Sequence, residues 1–78
     1  MNTMQKFLDF LCKLEESKIH YTLEHNRDEA IMVLIAVPGE RWEVEFFAEG
    51  NVEVEVFKSH EGIQDESELE RLFKEFTD

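Results

Sequence analysis

Apolar residues recur along the chain with two different periods, and the period marks the elements. Over residues 3–16, Met4, Phe7, Leu8, Leu11 and Leu14 follow the i, i+3, i+4, i+7 spacing of an amphipathic helix. Asn2 or Thr3 can cap it, and Gln5, three after Asn2, completes a capping-box pattern. Near the other end, "DESELERLFKEF" sets Leu69, Leu72, Phe73 and Phe76 at the same spacing, with Asp65 and Glu68 as cap and partner. Each helix has one apolar stripe and needs a surface to bury it on.

Between the helices the period drops to two. Four runs read as strands: "KIHYTLEH" (18–25), "AIMVLIAV" (30–37), "RWEVEFF" (41–47) and "VEVEVF" (52–57). The links "NRDE", "PGE" and "AEGN" are short and rich in turn formers. A parallel neighbour would need a crossover of a dozen or more residues, so short links favour an antiparallel meander. The expected architecture is therefore α+β and two-layered. It is a four-stranded antiparallel meander sheet with the N- and C-terminal helices on one face, in the order α-β-β-β-β-α. Residues 1–78 read as a single domain.

The last hairpin can be placed in register. Trp42, Val44 and Phe46 share a face with Val52, Val54 and Val56 if Phe46 lies opposite Val52. That pairing leaves Ala48, Glu49 and Gly50 as a three-residue loop, with Gly at the third position where a left-handed residue is wanted. Turn chemistry and hydrophobic pattern then agree. The same register sets Glu45 opposite Glu53 and Glu43 opposite Glu55. Like charges directly opposed across a strand pair cost roughly 0.2–1 kcal/mol. A sheet selected for stability alone would carry Lys or Thr at some of these positions. Phe47 and Phe57 fall on the same outward face, next to Asn51 and Arg41. The second strand adds either Met32 and Leu34 or Ile31, Val33 and Ile35, depending on the turn at Pro38. Both of its faces are apolar, so an apolar strip adjoins the glutamates in either case.

Composition narrows what such a face can meet. The chain has 19 acids against 8 bases, a net charge of −11, and residues 40–78 hold 13 of the acids with only four bases. Direct binding to nucleic-acid phosphates or to an anionic membrane needs the opposite sign. The longest apolar run is eight residues, far below the ~20 of a membrane span. No basic stretch leads into an apolar one at the start, so no signal peptide is expected. The single Cys12 rules out an internal disulfide. A cytoplasmic location is the expectation.

The candidate site is thus a partner-binding face. Glu43, Glu45, Glu53 and Glu55 supply charge that steers and orients a basic protein, and Phe47 and Phe57 supply anchors. The same pattern fits a homodimer that buries its apolar sheet face against its own copy, a polyanion that mimics DNA, or a plain solvated face. No cofactor, metal or catalytic residue is expected. Four long Glu side chains on an open sheet, with no loop carbonyls, make a poor Ca²⁺ cage. His20, His25 and His60 lack ligand spacing, and no pocket is built to shift a catalytic pKa. Cys12 reads as a small apolar residue at the helix–sheet boundary, and Trp42 as core.

The stretch "GERWEVEFFAEGNVEVEVFKSHEGI" (39–63), with its Trp-centred strand and Gly turn, resembles segments of small bacterial immunity proteins from polymorphic or contact-dependent toxin systems. The resemblance covers about a third of the chain and carries no functional residues over, because such families share no binding motif. It implies a cytoplasmic, non-enzymatic inhibitor that masks a toxin domain, often a basic nuclease.

Overall fold

The computed structural model describes residues 2–57, 63–64 and 68–76, with positions 63, 64, 68 and 76 described by backbone alone. The elements are α1 (Thr3–Glu16), β1 (Tyr21–Arg27), β2 (Ala30–Val37), β3 (Glu40–Phe47), β4 (Val52–Phe57), β5 (Ile63–Gln64) and α2 (Glu68–Phe76). The four long strands form the expected antiparallel meander, and the two-residue β5 adds a short edge beside β4. Both helices pack on one face. Phe10 and Leu14 of α1 and Leu72 of α2 share a buried cluster with Val33, Ile35, Trp42, Val44, Phe46, Val54 and Val56.

Local chemistry explains where the elements begin and end. The Asn2 side chain accepts from the Gln5 backbone N–H at 2.7 Å, which caps α1. The reciprocal half of the capping box is not made, because the Gln5 amide donates to Asp9 at 2.8 Å instead. At the other end Ile19 N–H bonds Leu14 C=O and Lys18 N–H bonds Glu15 C=O, with Lys18 at φ 60. This is a Schellman closure with lysine where glycine is usual. It consumes residues 17–19, so β1 starts at Tyr21 rather than at 18. The expected caps of α2 at Asp65, and the core role of the Phe76 side chain, lie outside the described residues.

Two further expectations change. The buried stripe of α1 is centred on Phe10 and Leu14, with Phe7 and Leu11 partly buried, and Met4 and Leu8 are left exposed. Phe10 completes an aromatic set with Phe7, Phe46 and Phe73, at ring separations of 5.2–5.8 Å between neighbours. Two aromatic partners, Phe46 and Phe73, outweigh the simpler i, i+4 stripe through Met4 and Leu8. Cys12 is exposed rather than at the helix–sheet boundary.

The β2–β3 turn settles which side of β2 meets the helices. Val37 pairs with Glu40 across Pro38 and Gly39, and Gly39 has φ 79, the pattern of a type II turn. Val33 and Ile35 then oppose Val44 and Trp42 over the helices, while Met32 and Leu34 oppose Glu45 and Glu43 on the outer face.

Candidate functional site

The outer face of the sheet is built by register. Arg41 lies opposite Phe57, Glu43 opposite Glu55 and Glu45 opposite Glu53, and Phe46 opposite Val52 fixes the same register from the helix side. Phe47 N–H bonds Asn51 C=O and Gly50 N–H bonds Phe47 C=O, which leaves Ala48, Glu49 and Gly50 as the three-residue loop, with Gly50 at φ 107. The opposed glutamate pairs of the sequence reading are therefore present. Met32 and Leu34 stand beside them on β2, both half-buried.

β1 reaches the site through an irregularity. Its pairing with β2 runs regularly from Tyr21 to Glu24 and resumes only at Arg27, opposite Ala30. The bulge carries one extra residue, so Glu24 and Arg27 share the outer face although three positions separate them. From there Arg27 Nε comes within 3.6 Å of Glu45 Oε2, and its guanidinium sits 5.4 Å from the Phe47 ring centroid. At the opposite end Arg41 lies 3.7 Å from Glu43 and 4.6 Å over the Phe57 ring. The glutamate block is bracketed at each end by an arginine over a phenylalanine.

These brackets correct the expected roles of two residues. Glu45 is not on a solvated surface: it is 4% exposed, and its Oε2 has no hydrogen-bond partner. The 3.6 Å approach of Arg27 is an ion pair without a hydrogen bond, because a good N–H···O bond is nearer 2.9 Å. Phe47 is 8% exposed and is not an open anchor. Glu43 and Glu55 are half-buried, Phe57 is half-buried beneath Arg41, and Glu53 is exposed. Glu53 and Glu55 have no cationic partner among the described residues. The charge that is free to act outward is concentrated on β4.

The space among these carboxylates is small. A cleft of about 40 Å³ is lined by Met32, Glu43, Glu45, Glu53, Val54 and Glu55, room for no more than a few water molecules. No group of three or more His, Cys, Asp or Glu side chains among the described residues is arranged to hold a metal ion. His20 and His25 are both exposed, and His60 lies outside the described residues.

One polar cluster has no counterpart in the sequence reading. Trp42 is fully buried as expected, and its indole N–H donates to Glu40 Oε1 at 2.9 Å. Arg71 of α2 meets the same carboxylate at 3.1 Å, lies 5.0 Å over the Trp42 ring, and reaches Glu75 at 2.9 Å. Glu40 therefore fastens α2 to the sheet. The usable signal was the buried indole, which needs an acceptor; a carboxylate two residues earlier on the same face of β3 is well placed to supply it.

No described helix is long and apolar enough to cross a membrane. No protein-family model, curated protein or solved structure gives a significant match to the chain.

Proposed function

We propose that this domain is a non-enzymatic protein-binding module whose acidic outer sheet face docks on a basic site of another protein. An immunity-type inhibitor that masks a toxin domain is the form of this reading to which the resemblance over residues 39–63 points. The carrying observation is the opposition of Glu43 to Glu55 and Glu45 to Glu53, with Glu53 and Glu55 lacking a cation among the described residues. The fold accepts this repulsion on the one sheet face the helices leave uncovered, and a basic partner would relieve it. The cleft among the carboxylates is too small for a substrate, so what this face offers a partner is a surface and not a pocket. A homodimer through this same face is disfavoured, since it would press two acidic blocks together.

The test compares capture on immobilised wild-type protein and on a Glu53→Gln/Glu55→Gln variant, followed by kinetics with the retained protein. Steered association should slow as salt passes about 0.1 M, where the screening length is about 10 Å. The double variant should flatten that dependence, and Phe57→Ala should mainly speed dissociation. An on-rate indifferent to both salt and the two glutamates would overturn the reading.

A further inference from the structure

Among the described residues the exposed large apolar side chains are Met4, Leu8 and Leu23, at 63%, 45% and 48% exposure. All three belong to one seam. Met4 and His25 line the same hollow at the turn end of β1, and toward its start the Tyr21 hydroxyl donates to Glu15 at 2.5 Å. α1 therefore runs antiparallel to β1 while packing chiefly over β3, and its helical face with Met4, Leu8 and Glu15 is turned toward the flank that carries Leu23. β1 is also an edge strand, with β2 as its only neighbour among the described residues and Thr22 to Arg27 all exposed. An open edge offers a row of unpaired backbone donors and acceptors.

Charge identifies the occupant. Residues 1–27, which contain α1 and β1, hold four acids (Asp9, Glu15, Glu16, Glu24) and four bases (Lys6, Lys13, Lys18, Arg27). The remainder of the chain carries the entire net charge of −11. Copies of so acidic a molecule repel one another, and this flank, to which only Asp28 and Glu29 of the adjoining turn add net charge, is the part that a second copy can approach at the least electrostatic cost. It is also where the apolar side chains are exposed.

We infer that two copies associate β1 edge to β1 edge about a two-fold axis, burying Met4, Leu8 and Leu23 of both between their α1 helices. Opposed residues in an antiparallel pair share a face. A two-fold at Leu23 sets Leu23 against its own copy and Tyr21 against His25 on the helix side, with Thr22 against Glu24 on the outer side. No like charges meet. The alternative centre at Glu24 would oppose that carboxylate to itself. With the axis normal to the sheet, the two sheets become one, the helices stay on one side and the acidic faces lie on the other. The dimer does not depend on what the outer face binds.

Sedimentation equilibrium of the full chain, from low micromolar to near-millimolar concentration, should show a monomer–dimer equilibrium. Leu8→Lys/Leu23→Lys should be monomeric over that range with unchanged circular dichroism, because both positions are exposed. Met32→Lys on the outer face should leave the dimer intact. Hydrogen exchange of wild-type protein supplies a readout that needs no variant: protection of edge-facing β1 amides should rise with concentration, while that of β4 stays constant. A wild-type chain that is monomeric throughout, a dimer that survives the double lysine variant or is lost with Met32→Lys, or β1 exchange independent of concentration would each overturn the inference.

Discussion

Replacing Glu45 with Met should make the protein more stable, and the size of the gain can be worked from its surroundings. The residue is 4% exposed, its Oε2 lacks a hydrogen bond, and Glu53 stands directly opposite. Removing a buried acceptor that has no partner recovers about 1–3 kcal/mol. Removing one of two opposed like charges adds roughly 0.2–1 kcal/mol. Against this stands the lost attraction to Arg27, 3.6 Å away. The Arg27 side chain is 53% exposed and returns to water, so that loss is about 0–1 kcal/mol. Met keeps the unbranched stem of Glu and fills the same space. The terms sum to a gain of about 0.2–4 kcal/mol, centred near about 2 kcal/mol, and for a domain this small the central value raises Tm by about 8–16 °C. Thermal unfolding followed by circular dichroism, and urea unfolding followed through Trp42 fluorescence, would measure it. Glu45→Gln should gain less, because a buried amide also needs partners. Because Glu45 is buried and the outward charge sits on β4, the Glu45→Met protein should lose partner affinity only through the one long-range charge removed, less than Glu53→Gln/Glu55→Gln loses. A fall in Tm would show that Glu45 holds the sheet together, and the main support for a docking role would go with it.

Other positions give independent checks. Glu40→Ala strands the buried Trp42 N–H and costs about 1–3 kcal/mol, whereas Glu40→Gln keeps an acceptor and should cost clearly less; equal losses in denaturant unfolding would remove the indole bond from the account. Tyr21, the chain's one tyrosine, has its pKa raised above 10.0 by its hydrogen bond to Glu15, then by burial and by the charges of Glu15 and Cys12. The protonated phenol is thus the form favoured by folding, and its contribution is present below pH 10 and lost as pH rises through the folded-state value. A phenolate absorbance titration should place the midpoint above 10.0, and Glu15→Gln should bring it down. Gly50→Val should cost about 1–3 kcal/mol through its positive φ alone, because an added Cβ meets only Thr3 Oγ1 at an ordinary 3.6 Å. Lys18→Gly should do the reverse, raising stability by up to about 1 kcal/mol by relieving the left-handed closure of α1.

The sequence was most legible where two independent signals agreed. The β3–β4 register followed from hydrophobic alternation together with Gly50, and each predicted cross-strand pair is present. Alternation alone places the start of β1 too early, because Lys18 takes a conformation that glycine normally advertises and the closure of α1 leaves no mark in the sequence. The bulge after Glu24 was equally silent, since no Gly or Pro flags it. Without it Arg27 would be expected on the helix side, and the burial of Glu45 could not be foreseen. Alternation states which face a residue occupies. It does not state which long side chain from two strands away folds over it, and Arg27 over Phe47 is of that kind, whereas Arg41 over Phe57 is a direct cross-strand pair that the register already implies. For α1, periodicity alone could not choose between stripes through Leu8 and through Phe10; aromatic packing against Phe46 and Phe73 made the choice.

The two proposed surfaces constrain one another through distance. Glu53 and Glu55 lie on β4, three strands from the β1 edge. Two copies joined at β1 would hold their β4 strands seven strand spacings apart, roughly 34 Å at ~4.8 Å per strand. At 0.1 M salt the screening length is about 10 Å, so the acidic blocks of such a dimer hardly sense each other and both stay open. Association through the outer face would instead bring the same carboxylates within a few ångströms of their copies, where screening gives little relief. Repulsion is thus the common cause of both readings. It keeps copies off the acidic face, leaves that face available to a basic partner, and confines self-association to the neutral flank. A partner with one basic site should then bind each protomer independently, with the same affinity for wild-type and Leu8→Lys/Leu23→Lys protein. A densely immobilised partner should retain the wild type longer, because only the dimer can engage two sites at once.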